Sequence, residues 1–229
     1  MFRYIFEQLF ILGQIKKIGP FMSDIRVLIV EDEALIAKDI QFILEDADYS
    51  VSAIAYNSKK ALEELRNRTP DIVLLDIQLN SELSGIQLAK IINEQYQLPF
   101  IFITSYADRA TIEKVKSTNP MGYLVKPFEE RTLITTIEIA LYNHAQLWAD
   151  QRPNLSFKLI NQKLSNPLTD REFATLQQLL QGKTNKQIAS DLYVSTNTVK
   201  THLSNLFLKF DVSSRSMLFT RVNQLLRAS

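Results

Sequence analysis

Between residues 24 and 144, short apolar runs alternate with stretches whose apolar residues recur every three or four positions. The runs cover residues 27–30, 51–55, 72–75, 100–103 and 123–125. Runs this short, apolar or nearly so and bounded by polar residues, predict strands buried on both faces. Leu35, Ile36, Ile40, Ile43 and Leu44 form one helical stripe, and Ala61, Leu62 and Leu65 a second. Leu88, Ile91 and Ile92 form a third, and Leu133, Ile137 and Leu141 a last. Strand-helix alternation of this kind predicts an α/β domain, with a five-stranded parallel sheet wound on both faces by helices.

Beyond residue 144 the pattern changes. Residues 145–167 carry Gln, Asn, Pro153 and Pro167 among scattered apolar positions, which predicts a partly helical start and then a flexible linker. From residue 168 the chain is punctuated for helices. Thr169 with Glu172 makes a capping box, Leu168 and Phe173 occupy staple positions, and Gly182 supplies a left-handed stop. Thr184 with Gln187 opens a second helix the same way, and a third begins near Ser195 after a tight turn at Tyr193 and Val194. Two helices joined by such a turn make a helix-turn-helix candidate. At about 100° per residue, Val199, Leu203, Leu206 and Phe210 fall on one side of the third helix and face a core. Asn197, Lys200, Thr201 and Ser204 fall on the other side, and Leu208 also projects outward. That polar face can enter a major groove, with Lys200 reaching a guanine edge or a phosphate.

Charge follows the same division. The chain of 229 residues carries 26 basic and 25 acidic side chains, but residues 151–229 hold 11 basic and 4 acidic ones. The second part is therefore +7 and residues 1–150 are −6, an acidic module joined to one that meets a polyanion. No cysteine is present, which excludes disulfides and thiol chemistry and fits a reducing, cytoplasmic setting. The two histidines, His144 and His202, make no metal-ligand cluster. Residues 1–21 are apolar but broken by Arg3, Glu7 and Gln8, short of the ~18–20 residues of a membrane helix. A signal peptide would lack a clear cleavage site before Met22. The expectation is a dispensable extension ahead of a start at Met22. The other reading is a short amphipathic helix with Ile5, Phe6, Leu9 and Leu12 on one side.

The chemistry lies at the carboxyl ends of the predicted strands, where open α/β sheets bind ligands. The first strand ends in Glu31 and Asp32, the third in Asp76, the fourth in Thr104 and the fifth in Lys126. An ionised Asp76 at the end of a buried strand is costly to desolvate unless something pairs with it. Clustered carboxylates likewise repel unless a cation sits among them, and an all-oxygen set favours Mg²⁺. A carboxylate beside Mg²⁺ can attack phosphorus to give an aspartyl phosphate. The moving phosphoryl oxygens would be met by the metal, the lysine and the hydroxyl. A metal and Lys126 together would compensate Asp76.

The segments VLIVEDE, VLLDIQL, FITS and YLVKPF resemble the receiver domain of bacterial two-component response regulators, over residues 24–144. The resemblance implies a flavodoxin-like fold. It implies Mg²⁺ on Glu31, Asp32, Asp76 and the backbone carbonyl of Gln78, with Asp76 phosphorylated. It gives Thr104 and Lys126 to the phosphoryl group, makes Tyr123 the aromatic that turns inward on activation, and implies a cis Lys126-Pro127 peptide. The loop IQLNSELSG departs from the family, with Asn80 at the usual proline and one residue more before the glycine. LTDRE, GKTNKQIA and STNTVKTHLSNLFLKFDVSSR resemble the LuxR/NarL-type helix-turn-helix domain, over residues 168–226. That implies four helices, with Val222, Leu225 and Leu226 on a fourth that often pairs subunits. By position, Lys200, Thr201 and Ser204 face bases, while Lys186, Asn205 and Arg215 contact phosphates.

The expected organisation is an extension over 1–21, a receiver over 22–144, a linker over 145–167 and a small all-α helix-turn-helix domain over 168–229. The expected function is a transcription factor switched by phosphorylation, not an enzyme of small molecules. Its partners would be a sensor histidine kinase, double-stranded DNA and, when active, a second copy of itself, with no membrane. Two other readings stay open: an output module that binds RNA or protein, and a receiver that only dimerises. The intact set of Glu31, Asp32, Asp76, Thr104 and Lys126 argues against the second.

Overall fold

The computed structural model describes residues 24–67, 69–105, 109–149 and 155–227, so the expectations for residues 1–21 fall outside it. The alternating part forms β1 (Arg26–Val30), α1 (Ala34–Asp46), β2 (Ser50–Ala55), α2 (Ser58–Asn67), β3 (Ile72–Leu75) and α3 (Gly85–Ile91). It continues with β4 (Phe100–Thr104), α4 (Arg109–Lys116), β5 (Gly122–Val125) and α5 (Glu130–Ala149). The strands make one five-stranded sheet, parallel as the pattern predicts, in the order β2-β1-β3-β4-β5.

Alternate side chains of the central strands enter opposite apolar layers, which is why their runs carry no polar residue. Leu28, Val30, Val73, Leu75, Phe100 and Phe102 pack with Ala61, Leu65, Leu88 and Ile92 on one face. Val27, Ile29, Ile72, Leu74, Ile101 and Ile103 pack with Ala37, Ile40, Leu44, Leu133 and Ile137 on the other. The first helical stripe needs a correction. Leu35 is 77% exposed and Ala37 is buried in its place, because α1 turns Ala37, Ile40 and Leu44 toward the sheet. Phe42 shares the outer side with Leu35 and is 74% exposed.

The second part is helical: α6 (Phe157–Lys163), α7 (Asp170–Leu180), α8 (Asn185–Leu192), α9 (Thr196–Phe210) and α10 (Arg215–Arg227). The end of α5 is the partly helical start expected there, but the part expected to be flexible holds all of α6. Ser156 caps α6, and Ile160 is fully buried with Leu176, Leu203 and Phe210. Burying an isoleucine stabilises by about 1.5–3 kcal/mol, enough to fix a seven-residue helix that propensity alone would leave frayed. Both predicted capping boxes are formed, Thr169–Glu172 and Thr184–Gln187, and Ser195 caps α9. Tyr193 ends α8 in the left-handed region at φ 54° and is 95% exposed. Val222 and Leu226, expected on a pairing helix, are buried in this module's own core. No helix among the described residues is long and apolar enough to cross a membrane.

Candidate functional site

The carboxyl edge of the sheet gathers the predicted groups. Glu31 and Asp32 leave β1, Asp76 leaves β3, Thr104 ends β4 and Lys126 follows β5. One carboxylate oxygen each from Glu31, Asp32 and Asp76 lie within 4.8 Å of one another. Lys126 Nζ donates to Glu31 Oε2 at 2.5 Å and to Asp76 Oδ2 at 2.7 Å. Three of these four side chains are buried: Glu31, Asp76 and Lys126. Removal of the lysine alone would leave two carboxylates facing each other in a poor solvent.

Burial raises the Glu31 pKa, the Lys126 hydrogen bond works against that, and the charge of Asp76 adds to it. Burial alone would lower the Lys126 pKa, but hydrogen bonds to Asp76 and Glu31 outweigh it and hold the ammonium charged. Glu31 Oε1 is buried with no hydrogen-bond partner, although Oε2 is held by Lys126. An orphaned carboxylate oxygen beside two more carboxylates suits a hard cation, so the residues present fit Mg²⁺. A cleft of about 580 Å³ opens here, lined by Asp32, Asp76, Gln78, Asn80, Ser84 and Ser105 among others.

The loop after Asp76 is fixed by its own backbone. The Gln78 amide donates to Asp76 Oδ1 at 3.0 Å, and the Asn80 amide donates to Asp32 Oδ2 at 3.1 Å. A proline at position 80 would have no hydrogen to donate. The loop then runs into α3 through the Ser84 capping box. Gly85, first in that helix, lies so close to Asp76 that a Cβ there would stand 1.9 Å from the Asp76 carbonyl oxygen. Thr104 is fully buried, and Tyr123 is half-buried against the sheet face that carries Phe100 and Phe102. The Lys126-Pro127 peptide is cis.

The expected DNA-reading residues share one module but not one exposure. Asn197 and Thr201 are exposed, while Lys200, Ser204 and Asn205 are half-buried. Thr201 and Ser204 donate their hydroxyls to carbonyls one turn back, on Asn197 and Lys200. Lys200, Lys186 and Arg215 turn toward the receiver. Lys200 Nζ lies 2.9 Å from Asp24 Oδ1, and Lys186 Nζ lies 3.1 Å from Asp48 Oδ2. Arg215, expected on a phosphate, is buried. Its guanidinium donates to the Lys183 carbonyl at 2.9 Å and to Asn185 Oδ1, and its amide donates to Asp71 Oδ1 at 2.9 Å.

Sequence reasoning assigned no role to Asp24, Asp48, Asp71 or His144. The aspartates resemble ordinary polar residues ahead of strands, and only the docked fold places them against the second module. His144 on α5 approaches the Gln97 carbonyl through Nε2 at 3.1 Å and tilts over Phe219 of α10, with ring centroids 6.5 Å apart. Burial lowers its pKa, against the opposing pull of the Gln97 carbonyl.

Such an edge on such a sheet, tied to a helix-turn-helix module, is the architecture of a signal receiver with an output domain. Residues 27–138 match the response regulator receiver domain, and residues 166–222 match the bacterial regulatory proteins of the luxR family. The chain is 31% identical over 197 residues to the transcriptional regulatory protein YdfI of Bacillus subtilis, spanning 83% of this chain and 92% of that one. It is also 31% identical over 196 residues to a nitrate/nitrite response regulator protein homolog of Haemophilus influenzae, again across 83% and 92%. The receiver domain of a modulated diguanylate cyclase from Desulfovibrio desulfuricans superimposes with a TM-score of 0.51 at 38% identity, over 53% of this chain and 97% of that one. The chain belongs to the response regulators that couple a receiver to a luxR-family domain, and is a DNA-binding response regulator of a two-component system.

Proposed function

We propose that Asp76 is the phosphoacceptor, that Glu31, Asp32, Asp76 and the Gln78 carbonyl hold Mg²⁺, and that phosphorylation controls sequence-specific DNA binding by a homodimer. The observation that carries this is Lys126 Nζ bonded at once to Glu31 and Asp76, beside the orphaned Glu31 oxygen. When bound, Mg²⁺ supplies positive charge to the transferring phosphoryl oxygens. The chain's own groups do the rest. Asp76 Oδ1, steadied by the Gln78 amide, keeps its partner oxygen aligned for in-line attack on phosphorus, as the donor's P–N bond (kinase histidine) or P–O bond (acetyl phosphate) breaks and imidazole or acetate leaves. Lys126 releases Asp76 to follow the new phosphoryl oxygens, and the Thr104 hydroxyl takes a further one. Tyr123 then turns inward as the β4 and β5 ends rearrange.

The phosphodonor is a sensor histidine kinase, with a small phosphodonor able to replace it in vitro, and the setting is cytoplasmic. On the output module, Lys200, Thr201, Ser204 and Asn197 meet base edges, and Lys186, Asn205 and Arg215 meet phosphates. The receiver spans residues 22–144 and the DNA-binding domain residues 168–229, joined by residues 145–167.

The test is enrichment from random duplex DNA, with and without Mg²⁺ and acetyl phosphate. A two-fold symmetric motif enriched only with the phosphodonor is the expected result. No motif under either condition, with Asp76 phosphorylation verified by intact mass, would overturn the DNA assignment.

A further inference from the structure

The loop from Asp76 to Gly85 has one residue more than the family pattern and Asn80 at its usual proline, and the fold gives that length a partner. Ile77 and Leu79 are buried in the apolar layer that holds Phe100 and Phe102. Gln78 and Asn80 alternate with them, are exposed, and line the cleft beside Asp32 and Asp76. At Asn80 the chain reverses, with the Ser81 amide donating to the Leu79 carbonyl at 2.8 Å. The base of the loop is closed by the Gly85 amide on the Ile77 carbonyl at 2.9 Å.

The far side of the loop is held by another helix. Asn57 Oδ1 accepts the Lys60 amide at 2.8 Å at the start of α2, which leaves the Ser58 amide open there. Ser81 Oγ accepts that amide at 3.3 Å and donates its own proton to the Leu83 carbonyl at 2.9 Å. Ser58 Oγ is buried and accepts the Leu83 amide at 3.3 Å. Two serines 23 residues apart thus close a ring of hydrogen bonds between the start of α2 and the loop. Leu83 leads at once into the Ser84 cap of α3, so the ring also ties α2 to the start of α3.

We infer that Ser58 and Ser81 are positioning residues for the metal site, holding the loop on α2 so that the Asn80 amide stays on Asp32 and the Gln78 carbonyl faces the cation. The inference rests on the Mg²⁺ reading above and adds how a loop without the usual proline keeps its shape. A proline would restrict the backbone by fixing φ. Here the serine ring and the Asn80 amide, which donates to Asp32 Oδ2 at 3.1 Å, supply that restriction. Ser81 is the next residue after Asn80, so releasing its hydroxyl lets the reversal at Asn80 swing that amide away from Asp32. Asp32 is the least enclosed of the three carboxylates, half-buried where Glu31 and Asp76 are buried. It therefore depends most on a fixed donor for its aim, and the outer partners of metal-binding carboxylates govern metal affinity in this way.

The test uses the full chain with Ser81→Ala, which removes the central oxygen of the ring, and Ser58→Ala as a second variant. Ser81→Thr restores the hydroxyl. Mg²⁺ affinity is measured by calorimetry, amide hydrogen exchange of the loop by NMR in metal-free protein, and Asp76 labelling by acetyl phosphate across a Mg²⁺ series. Ser81→Ala should weaken Mg²⁺ binding about threefold to tenfold, the effect of one neutral hydrogen bond. Exchange of the Asn80 amide should quicken by a similar factor before any metal is added. Labelling should need correspondingly more Mg²⁺ yet reach the wild-type rate at saturation, and Ser81→Thr should return all three toward wild type. Ser58→Ala should behave alike, and the double variant should be no weaker than the worse single one, because both break the same ring. Wild-type Mg²⁺ affinity and wild-type Asn80 exchange in Ser81→Ala overturn the positioning role and leave the metal reading standing. A labelling rate lost equally at limiting and saturating Mg²⁺ also overturns it, since the defect then lies outside metal positioning. A wild-type chain that binds no Mg²⁺ overturns the metal reading and this inference together.

Discussion

Gly85→Ala should separate the geometry of the phosphoacceptor from its chemistry, since the substitution adds a methyl group and leaves every charged side chain in place. The new carbon would stand 1.9 Å from the Asp76 carbonyl oxygen, 2.8 Å from its carbon and 2.9 Å from Ile77 Cα. All are backbone atoms, so no rotamer relieves the clash. An ordinary contact is about 3.5 Å, so the start of α3 and the end of β3 must part by roughly 1.5 Å. The Gly85 amide also gives its hydrogen bond to the Ile77 carbonyl at 2.9 Å, which the same movement stretches. Overpacking of this kind costs about 1–3 kcal/mol, and alanine returns up to about 1 kcal/mol through its helix preference. The receiver should lose about 1–2 kcal/mol, lowering its transition by roughly 2–4 °C per kcal/mol. Phosphorylation should suffer more, because an error of about 1 Å in reacting groups can cost about 100-fold in rate. Acetyl phosphate labelling of Asp76, followed by intact mass at a temperature where circular dichroism shows the variant folded, measures the rate. A variant with wild-type transition and wild-type labelling would refute the close approach and its role.

Asn80→Pro removes the amide that holds Asp32 Oδ2. Mg²⁺ affinity, read by intrinsic fluorescence or calorimetry, should fall by roughly fivefold to tenfold, about 1 kcal/mol, and an unchanged affinity would remove Asn80 from the site. Lys200→Ala in the phosphorylated protein should weaken binding to the enriched motif by ~1–3 kcal/mol and relax preference at one base pair; unchanged specificity would remove Lys200 from base reading. Glu172 sits in the α7 capping box, where burial works to raise its pKa but is outweighed by hydrogen bonds from Lys209 and the Thr169 amide, which lower it. A depressed carboxylate contributes stability above its unfolded pKa and loses it as pH falls through the folded one. Glu172→Gln should therefore cost about 1 kcal/mol near neutral pH, and the gap from wild type in thermal melts should close in the acid range. A gap that persists there would contradict the charge-based account.

Particular residues show which features are legible in a sequence. Four of the five strand runs close on a polar or charged residue, and the fold gathers those residues at one edge, because burial on both faces and polar groups at one edge leave separate marks. Capping boxes at Thr169 and Thr184 are local, four residues long, and so survive translation into structure unchanged. Leu35 was misplaced because a helical stripe admits more than one inward axis, and Ala37 is small enough to take the inner position. Helix α6 was hidden by its neighbourhood: Pro153 and Pro167 suggest a linker, and only tertiary burial of Ile160 pays for the order. Arg215 and the aspartates ahead of the strands were illegible for another reason. Their partners lie 144 residues apart in Asp71 and Arg215, and nothing local announces a contact made by docking two finished modules.

The same contrast between local and distant signals has a kinetic side. Each output helix carries its own start, and α8 and α9 end in left-handed residues, Tyr193 and Asp211, that stop them on the spot. The receiver sheet pairs β1 with β3, so Val27 waits for Ile72 before either is settled. Loop closure over that span must precede any reward, and parallel pairing of this sort is slow. On refolding, the output helices should therefore form ahead of the sheet that precedes them in the chain, and the contact between the two modules should form last, since it needs both.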